Sequence, residues 1–258
     1  MAPSRTAVGE MGLAEALKLS SPQGMYPYRF TNIHMFVQRV ADNIVRHGYF
    51  LFVTGTVPSG VDPLAVDRKL MAKYGIGGSR WVRARMKKKG LAPVHYVRHQ
   101  DFFVMFAPPQ GKTSWRTLEQ WRTEKLRRER GSRIGDLRRT PLVRSGYSIA
   151  VKHSSSTRRL HVAVRIHPRS YRALLLHYAQ ACVALGRERL EEELLDFPFE
   201  PWSGVRQQRW AIFRAVMAER KKRGLASLAP EALKRTRTIY RLMRPEYCLP
   251  GVVAANQD

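Results

Sequence analysis

Between Arg80 and Lys89 the chain reads Arg-Trp-Val-Arg-Ala-Arg-Met-Lys-Lys-Lys, six cations in ten residues with no acid to pair them. No core can take in such a segment, because an unpaired buried charge loses more hydration than packing returns. Any fold must leave it at a surface and tolerate its repulsion. The stretch is the densest part of a wider excess, 46 Lys and Arg against 20 Asp and Glu, a formal net charge of +26. Self-repulsion at that level opposes compaction unless a polyanion offsets it. Arg is the commoner cation, and its planar fork suits phosphate and guanine edges.

The charge is also segregated. Residues 80–144 hold 18 basic against 5 acidic residues, and residues 206–244 hold 12 against 2. The acids gather instead in Glu188, Glu191, Glu192, Glu193, Asp196 and Glu200. One face meeting a polyanion and another avoiding it gives this pattern. Hydrophobic content of 44% in 258 residues supports a real core and excludes a wholly disordered basic tail. Cys182 and Cys248 are too few for a disulfide framework or a zinc site. No apolar run reaches the roughly 18 residues of a membrane helix, and the N-terminus lacks the apolar core of a secretory signal. A cytoplasmic or nucleoid-associated setting is expected, with no membrane partner and no cofactor.

Periodicity predicts an α+β chain. Residues 32–46 place Ile33, Phe36, Val37, Val40 and Ile44 on one helical face. Residues 49–57 are an apolar, β-branched strand. Asp62 caps a helix that has Pro63 at its first position. A basic helix is expected over 79–89, preceded by Gly75, Gly77 and Gly78. Residues 94–97 and 102–106 form a hairpin around His99-Gln100-Asp101. A helix covers about 115–129, and 131–140 reads as a mobile basic connector. Residues 147–151 and 160–166 form a second hairpin. In its second strand Leu160, Val162, Val164 and Ile166 point one way, while Arg159, His161, Arg165 and His167 point the other. From Pro168 the pattern is helical, with helices expected at 170–195, 205–222 and 230–242. The expectation is a small, mostly antiparallel sheet (two hairpins plus one strand) with basic helices, followed by a helical C-terminal segment. The corresponding division is a loose lead-in at 1–30, with a short helix at 12–19, an α+β nucleic-acid-binding domain at 31–167 and a helical domain at 168–258.

Three cationic groups stand out as nucleic-acid contacts. The first is the helix with Arg80, Arg83, Arg85, Lys87, Lys88 and Lys89, suited to a groove or a backbone. The second is Arg127, Arg128 and Arg133, with Arg138 and Arg139 ordering on binding. The third is the polar sheet face with Lys152, Arg159, His161 and Arg165, joined by Arg98 on the first hairpin. Aromatic residues near these strands, Tyr96, Phe102, Phe103 and Tyr147, suggest stacking on bases, with Phe103 the best placed. Arg220-Lys221-Lys222-Arg223 ends a helix, where cations also complement the helix dipole.

Catalytic signatures are sparse. Gly75-Ile76-Gly77-Gly78 lacks the Lys and spacing of a phosphate-binding loop. There is no Gly-x-Ser-x-Gly turn and no His-Glu-x-x-His pair. Glu219-Arg220-Lys221 has the form of a nuclease Glu-x-Lys element but falls on a helix. Histidines on or beside the hairpins, with Tyr171 or Tyr178 on the helix that follows, form a layout similar to rolling-circle replication and relaxase endonucleases. In that family a His-x-His pair holds a metal and a Tyr attacks the phosphodiester; the resemblance implies Tyr171 or Tyr178 as nucleophile, with His161 and His167 as the catalytic candidates beside it. The His-x-His pair of that family is absent, and the nearest spacings are His95 to His99 and His161 to His167. The expectation is therefore a nucleic-acid-binding protein, RNA preferred over DNA, within a larger nucleoprotein assembly and without a catalytic centre or metal of its own. A mobile-element or plasmid replication endonuclease, or a structural protein binding an acidic protein, are the alternatives.

Overall fold

The computed structural model of the chain describes residues 26–74, 76, 81, 84, 85, 88, 94–109, 134–154 and 157–242. The helices expected at 12–19 and 115–129 lie outside the described residues. The chain forms two compact units, one of residues 1–32, 48–134 and 241–258, the other of 33–47 and 135–240. The architecture is α+β.

In the first unit, strands β1 (Arg29–Phe30), β2 (Leu51–Thr56), β3 (His95–His99) and β4 (Phe102–Ala107) lie side by side in the order β1-β3-β4-β2. β3 and β4 are the expected hairpin, antiparallel with Val97 opposite Val104. Gln100 takes a φ of 57° in the turn, while β1 joins β3 in parallel. Helix α2 (Pro63–Lys73) starts as predicted: Asp62 accepts from the Leu64 and Ala65 amides at 2.9 and 3.1 Å. Such a cap contributes about 1 kcal/mol. Leu51, Val53, Tyr96, Phe103 and Met105 form a core with Met71 of α2. Gly55 lies opposite Phe103, and a Cβ there would sit 2.2 Å from the ring.

The second unit is built on a three-stranded antiparallel sheet, β6 (Leu142–Arg144), β7 (Tyr147–His153) and β8 (Leu160–Ile166). A two-residue strand, β5 (Gly135–Asp136), precedes it. β7 and β8 are the expected second hairpin. β6 was not expected; Ser145 and Gly146 join it to β7, both with positive φ, the requirement of a tight primed hairpin turn. Leu142, Tyr147, Ile149, Val151, Val164 and Ile166 face inward and are buried. Helix α1 (Ile33–Asn43) packs against β7, and α5 (Ser203–Lys222) packs against β8. Gly204 makes that approach possible, since a Cβ there would lie 2.6 Å from the Val164 carbonyl oxygen.

Three expectations are corrected. The helix expected at 170–195 is two, α3 (Pro168–Ala184) and α4 (Arg187–Leu195). Leu185 and Gly186 between them are extended, and Gly186 is a weak helix former. The helix expected at 230–242 is only a 3-10 turn, Pro230–Leu233, followed by irregular chain. Side chains satisfy that backbone instead: Gln38 both donates to the Tyr240 carbonyl (2.9 Å) and accepts from its amide (3.0 Å). Glu200 accepts from the Thr238 amide at 2.9 Å. The connector expected to be mobile is a tight turn over 135–140, where the Asp136 carbonyl accepts from the Arg139 and Thr140 amides. Leu137 anchors it at 1% exposure. Among the described residues no helix is long and apolar enough to cross a membrane.

Candidate nucleic-acid interface

Alternation along β6, β7 and β8 sends one set of side chains away from the core. Their register places Val143, Ser148 and Arg165 in one row, Ala150 and Ala163 in the next, and Lys152 beside His161 in a third. The turn over 135–140 adds Arg138 and Arg139 at the side. Arg138, Arg139, Ser148, Ala150, Lys152, Ala163 and Arg165 border an open depression of about 270 Å³, smaller than most enclosed small-molecule sites. Its floor is Ala150, Ala163 and Ser148, and its walls are Arg138, Arg139, Lys152 and Arg165. Small side chains let a ligand backbone come close to the sheet, and long cationic ones reach up around it.

The cations differ in how they are held. Arg138 forks onto Asp136, with contacts of 2.7–3.1 Å; the bond from Arg138 pulls the Asp136 carboxyl below its usual pKa. Asp136 also accepts from the Arg138 amide at 2.9 Å, so this arginine is preset rather than floppy. Arg165 donates to Gln207 Oε1 at 3.4 Å. Lys152, Arg159 and Arg139 are exposed, and none of them forms an ion pair with an acid among the described residues. Ile166, at the edge of β8, has both backbone groups capped by Gln208, at 2.8 and 3.0 Å. The strand edge is closed there, and the open face is what remains for a ligand.

Arg98 leaves the candidate set. It is 6% exposed, and its guanidinium is committed to Asp67 at 2.8–3.0 Å and to the Gln100 carbonyl at 2.5 Å. The aromatic expectation is also corrected. Tyr96, Phe103 and Tyr147 are buried at 0%, 4% and 1%: β3 is buried along its whole length and β4 beyond Phe102, and on β7 the alternation that faces Ser148 and Lys152 outward turns Tyr147 inward. Tyr147 instead donates and accepts within the core, meeting His34 Nδ1 at 2.8 Å and the Glu200 amide at 2.7 Å. Phe102 is partly exposed but belongs to the other unit's sheet.

Of the basic helix, residues 81, 84, 85 and 88 are helical and exposed. Arg85 and Lys88 therefore sit at a surface as expected; Arg80, Arg83, Lys87 and Lys89 lie outside the described residues, as do Arg127, Arg128 and Arg133. Arg220 is not a ligand contact: it is 3% exposed and donates to the carbonyls of Cys182, Leu185 and Ala226 at 2.8–3.3 Å. Lys221, Lys222 and Arg223 are exposed beside it. Glu219 bonds Arg223 at 2.8 Å and lies on α5, which removes the Glu-x-Lys reading.

The histidines are not brought together. His161 is exposed on β8, while His167 caps α3 beyond the end of that strand and Tyr171 follows one turn later. Six residues of extended chain separate the two histidines by about 20 Å, too far to share one metal. Among the described residues no group of three or more His, Cys, Asp or Glu could hold a metal ion. His95 and His99 are buried in the first unit.

Sequence reasoning missed β6 and, on α5, Gln207, which accepts from Arg165, and the exposed Trp210. The Ser145-Gly146 pair is a turn signal that would have revealed β6. For α5, the four-residue spacing of Arg206, Trp210 and Arg214 marks an outward stripe. A scan against protein-family models, a search of curated proteins and a search of solved structures found no match to this chain.

Proposed function

We propose that the protein binds nucleic acid, RNA in preference to DNA, by holding phosphates on the open face of the β6–β8 sheet. The observation that carries this reading is the depression itself. Arg139, Lys152 and Arg165 surround a floor of alanine and serine, and the acid beside it, Asp136, is already occupied by Arg138. Such a face is electropositive without internal compensation. A polyanion would release condensed counterions on docking there. The other unit carries exposed cations of its own, Arg85 and Lys88. An open sheet face admits single strands and structured RNA more readily than it reads the major groove of a DNA duplex. A charge of +26 fits a component of a nucleoprotein assembly, where phosphates offset self-repulsion.

The test has two parts. Protein purified without nuclease is assayed for co-purifying nucleic acid, which is sequenced. Binding of an RNA oligonucleotide is then measured against salt for the wild type and for Arg139→Glu/Lys152→Glu/Arg165→Glu. Loss of three phosphate contacts should lower the slope of log K against log salt by about 2–3. A slope unchanged by the triple variant would remove the sheet face as the site. Clean protein with no salt-dependent binding would remove the reading altogether.

A further inference from the structure

We infer that helix α5 extends the sheet face into a base-stacking track, with Trp210 as the platform for an unpaired base of a single-stranded segment. This rests on the nucleic-acid reading above and adds to it the strandedness of the ligand and the residue that senses it.

The buried side of α5 carries Ile212, Phe213 and Val216. The opposite side presents Arg206, Trp210 and Arg214, all exposed. A four-residue spacing puts them in one row along the helix. Trp210 is 46% exposed, although an indole is among the most favourable side chains to bury. Phe213 meets its ring edge-on, with centroids 5.7 Å apart at 83°, so the ring is steadied without being covered. Arg206 and Arg214 each lie four residues away, about 6 Å along the axis, and neither pairs with an acid among the described residues. An aromatic ring between two unpaired cations is what a single strand requires: the ring takes a base, the cations take phosphates.

The row lies beside a residue that reaches the sheet face. Gln207, one turn before Trp210, accepts from Arg165 at 3.4 Å, and Arg165 is a wall of the depression. Gly204 and Gln208 fix the start of α5 against β8, so the two surfaces keep their relation. On this proposal a strand whose phosphates lie on Lys152 and Arg165 passes Gln207 to reach Trp210 and its neighbouring cations. In a duplex every base is already stacked in its pair, and none is presented to an outside ring. Trp210 therefore contributes for unpaired strands alone.

The experiment measures binding of wild type, Trp210→Ala and Trp210→Phe to three ligands: a single-stranded RNA oligonucleotide, its duplex and an abasic strand of equal length. Trp210→Ala should weaken single-strand binding by roughly 5- to 100-fold, the loss of one stacked base, and should change duplex and abasic binding little. Trp210→Phe should keep most of the affinity, yet lose part of the tryptophan quenching that the single strand causes in the wild type. Trp210→Ala binding the single strand like the wild type, or losing all three ligands equally, would overturn the track. If the sheet-face triple variant still loses binding in that case, the phosphate site stands without it. Absence of wild-type binding to any of the three would remove both.

Discussion

Arginine does two unlike jobs in this chain. Arg165, Arg206 and Arg214 stand at a surface, while Arg98, Arg209 and Arg220 are nearly sealed from water. Arg209 donates to the carbonyls of Leu194, Ala232 and Leu233 and lies 5.3 Å from the Phe197 ring centroid; Arg220 closes the end of α3. Several donors on one rigid fork let a single side chain satisfy carbonyls from separate segments. The cation tally thus overstates the charge left at the surface, and the excess of Arg over Lys reflects this stapling. Asp67, fully buried, compensates Arg98. Asp67→Asn should cost about 3–5 kcal/mol, because the guanidinium is left buried without its counter-charge; urea unfolding measures it, and a loss well under 1 kcal/mol would contradict the role. His34 gives a pH signature. Burial lowers its pKa below the usual 6.5, so the unfolded chain takes up the proton first as pH falls. Stability from this group is complete above about pH 6.5 and declines below it, down to the folded pKa. Thermal melts of wild type and His34→Gln from about pH 7.5 to about pH 5 should differ in acid slope, the wild type falling more steeply.

Elements were legible where one local rule decided them. Asp62 and Pro63 announce α2, and the alternation of Leu160–His167 announces β8 and the face its cations share. The sheet face with Lys152, His161 and Arg165 was therefore readable in advance. What escaped depended on distant partners. The backbone groups freed near Gly186 and after Leu233 are taken up by Arg220, Arg209, Gln38 and Glu200 from far along the chain, partners that no window of helical periodicity contains. Arg98 was misplaced for the same reason: its partner Asp67 is 31 residues away. The docking of α5 on β8 hangs on Gly204, whose missing Cβ admits the Val164 carbonyl. Gly204→Ala should destabilise the fold by about 1–3 kcal/mol through overpacking and should weaken RNA binding beyond the stability loss, as Gln207 withdraws from Arg165. Melting and oligonucleotide titration of the same variant separate the two effects, and unchanged melting would show that the close approach carries no strain.

At the scale of the whole molecule, the net charge sets how the protein responds to its surroundings. Like charges separated by more than about 10 Å cease to repel at 0.1 M salt, so the free protein should melt higher in moderate salt than in very dilute buffer. A soluble polyanion such as heparin should raise the melting temperature further. The gain corresponds to about 2.7 kcal/mol at a hundred times its Kd, and added salt should abolish it. Calorimetry in the four combinations of salt and heparin checks both effects, and a melting point indifferent to heparin at low salt would contradict the electrostatic account.

The chain also carries a timing constraint. The Gln38 side chain completes its pair of hydrogen bonds with Tyr240, 202 residues later, and Asp42 waits for Arg237. On a ribosome adding about 5–20 residues per second, helix α1 emerges some 10–40 s before the segment that finishes its surroundings. Gln38, at 7% exposure, has neither of these bonds throughout that interval, so the surroundings of α1 are completed only when residues 237–240 have emerged.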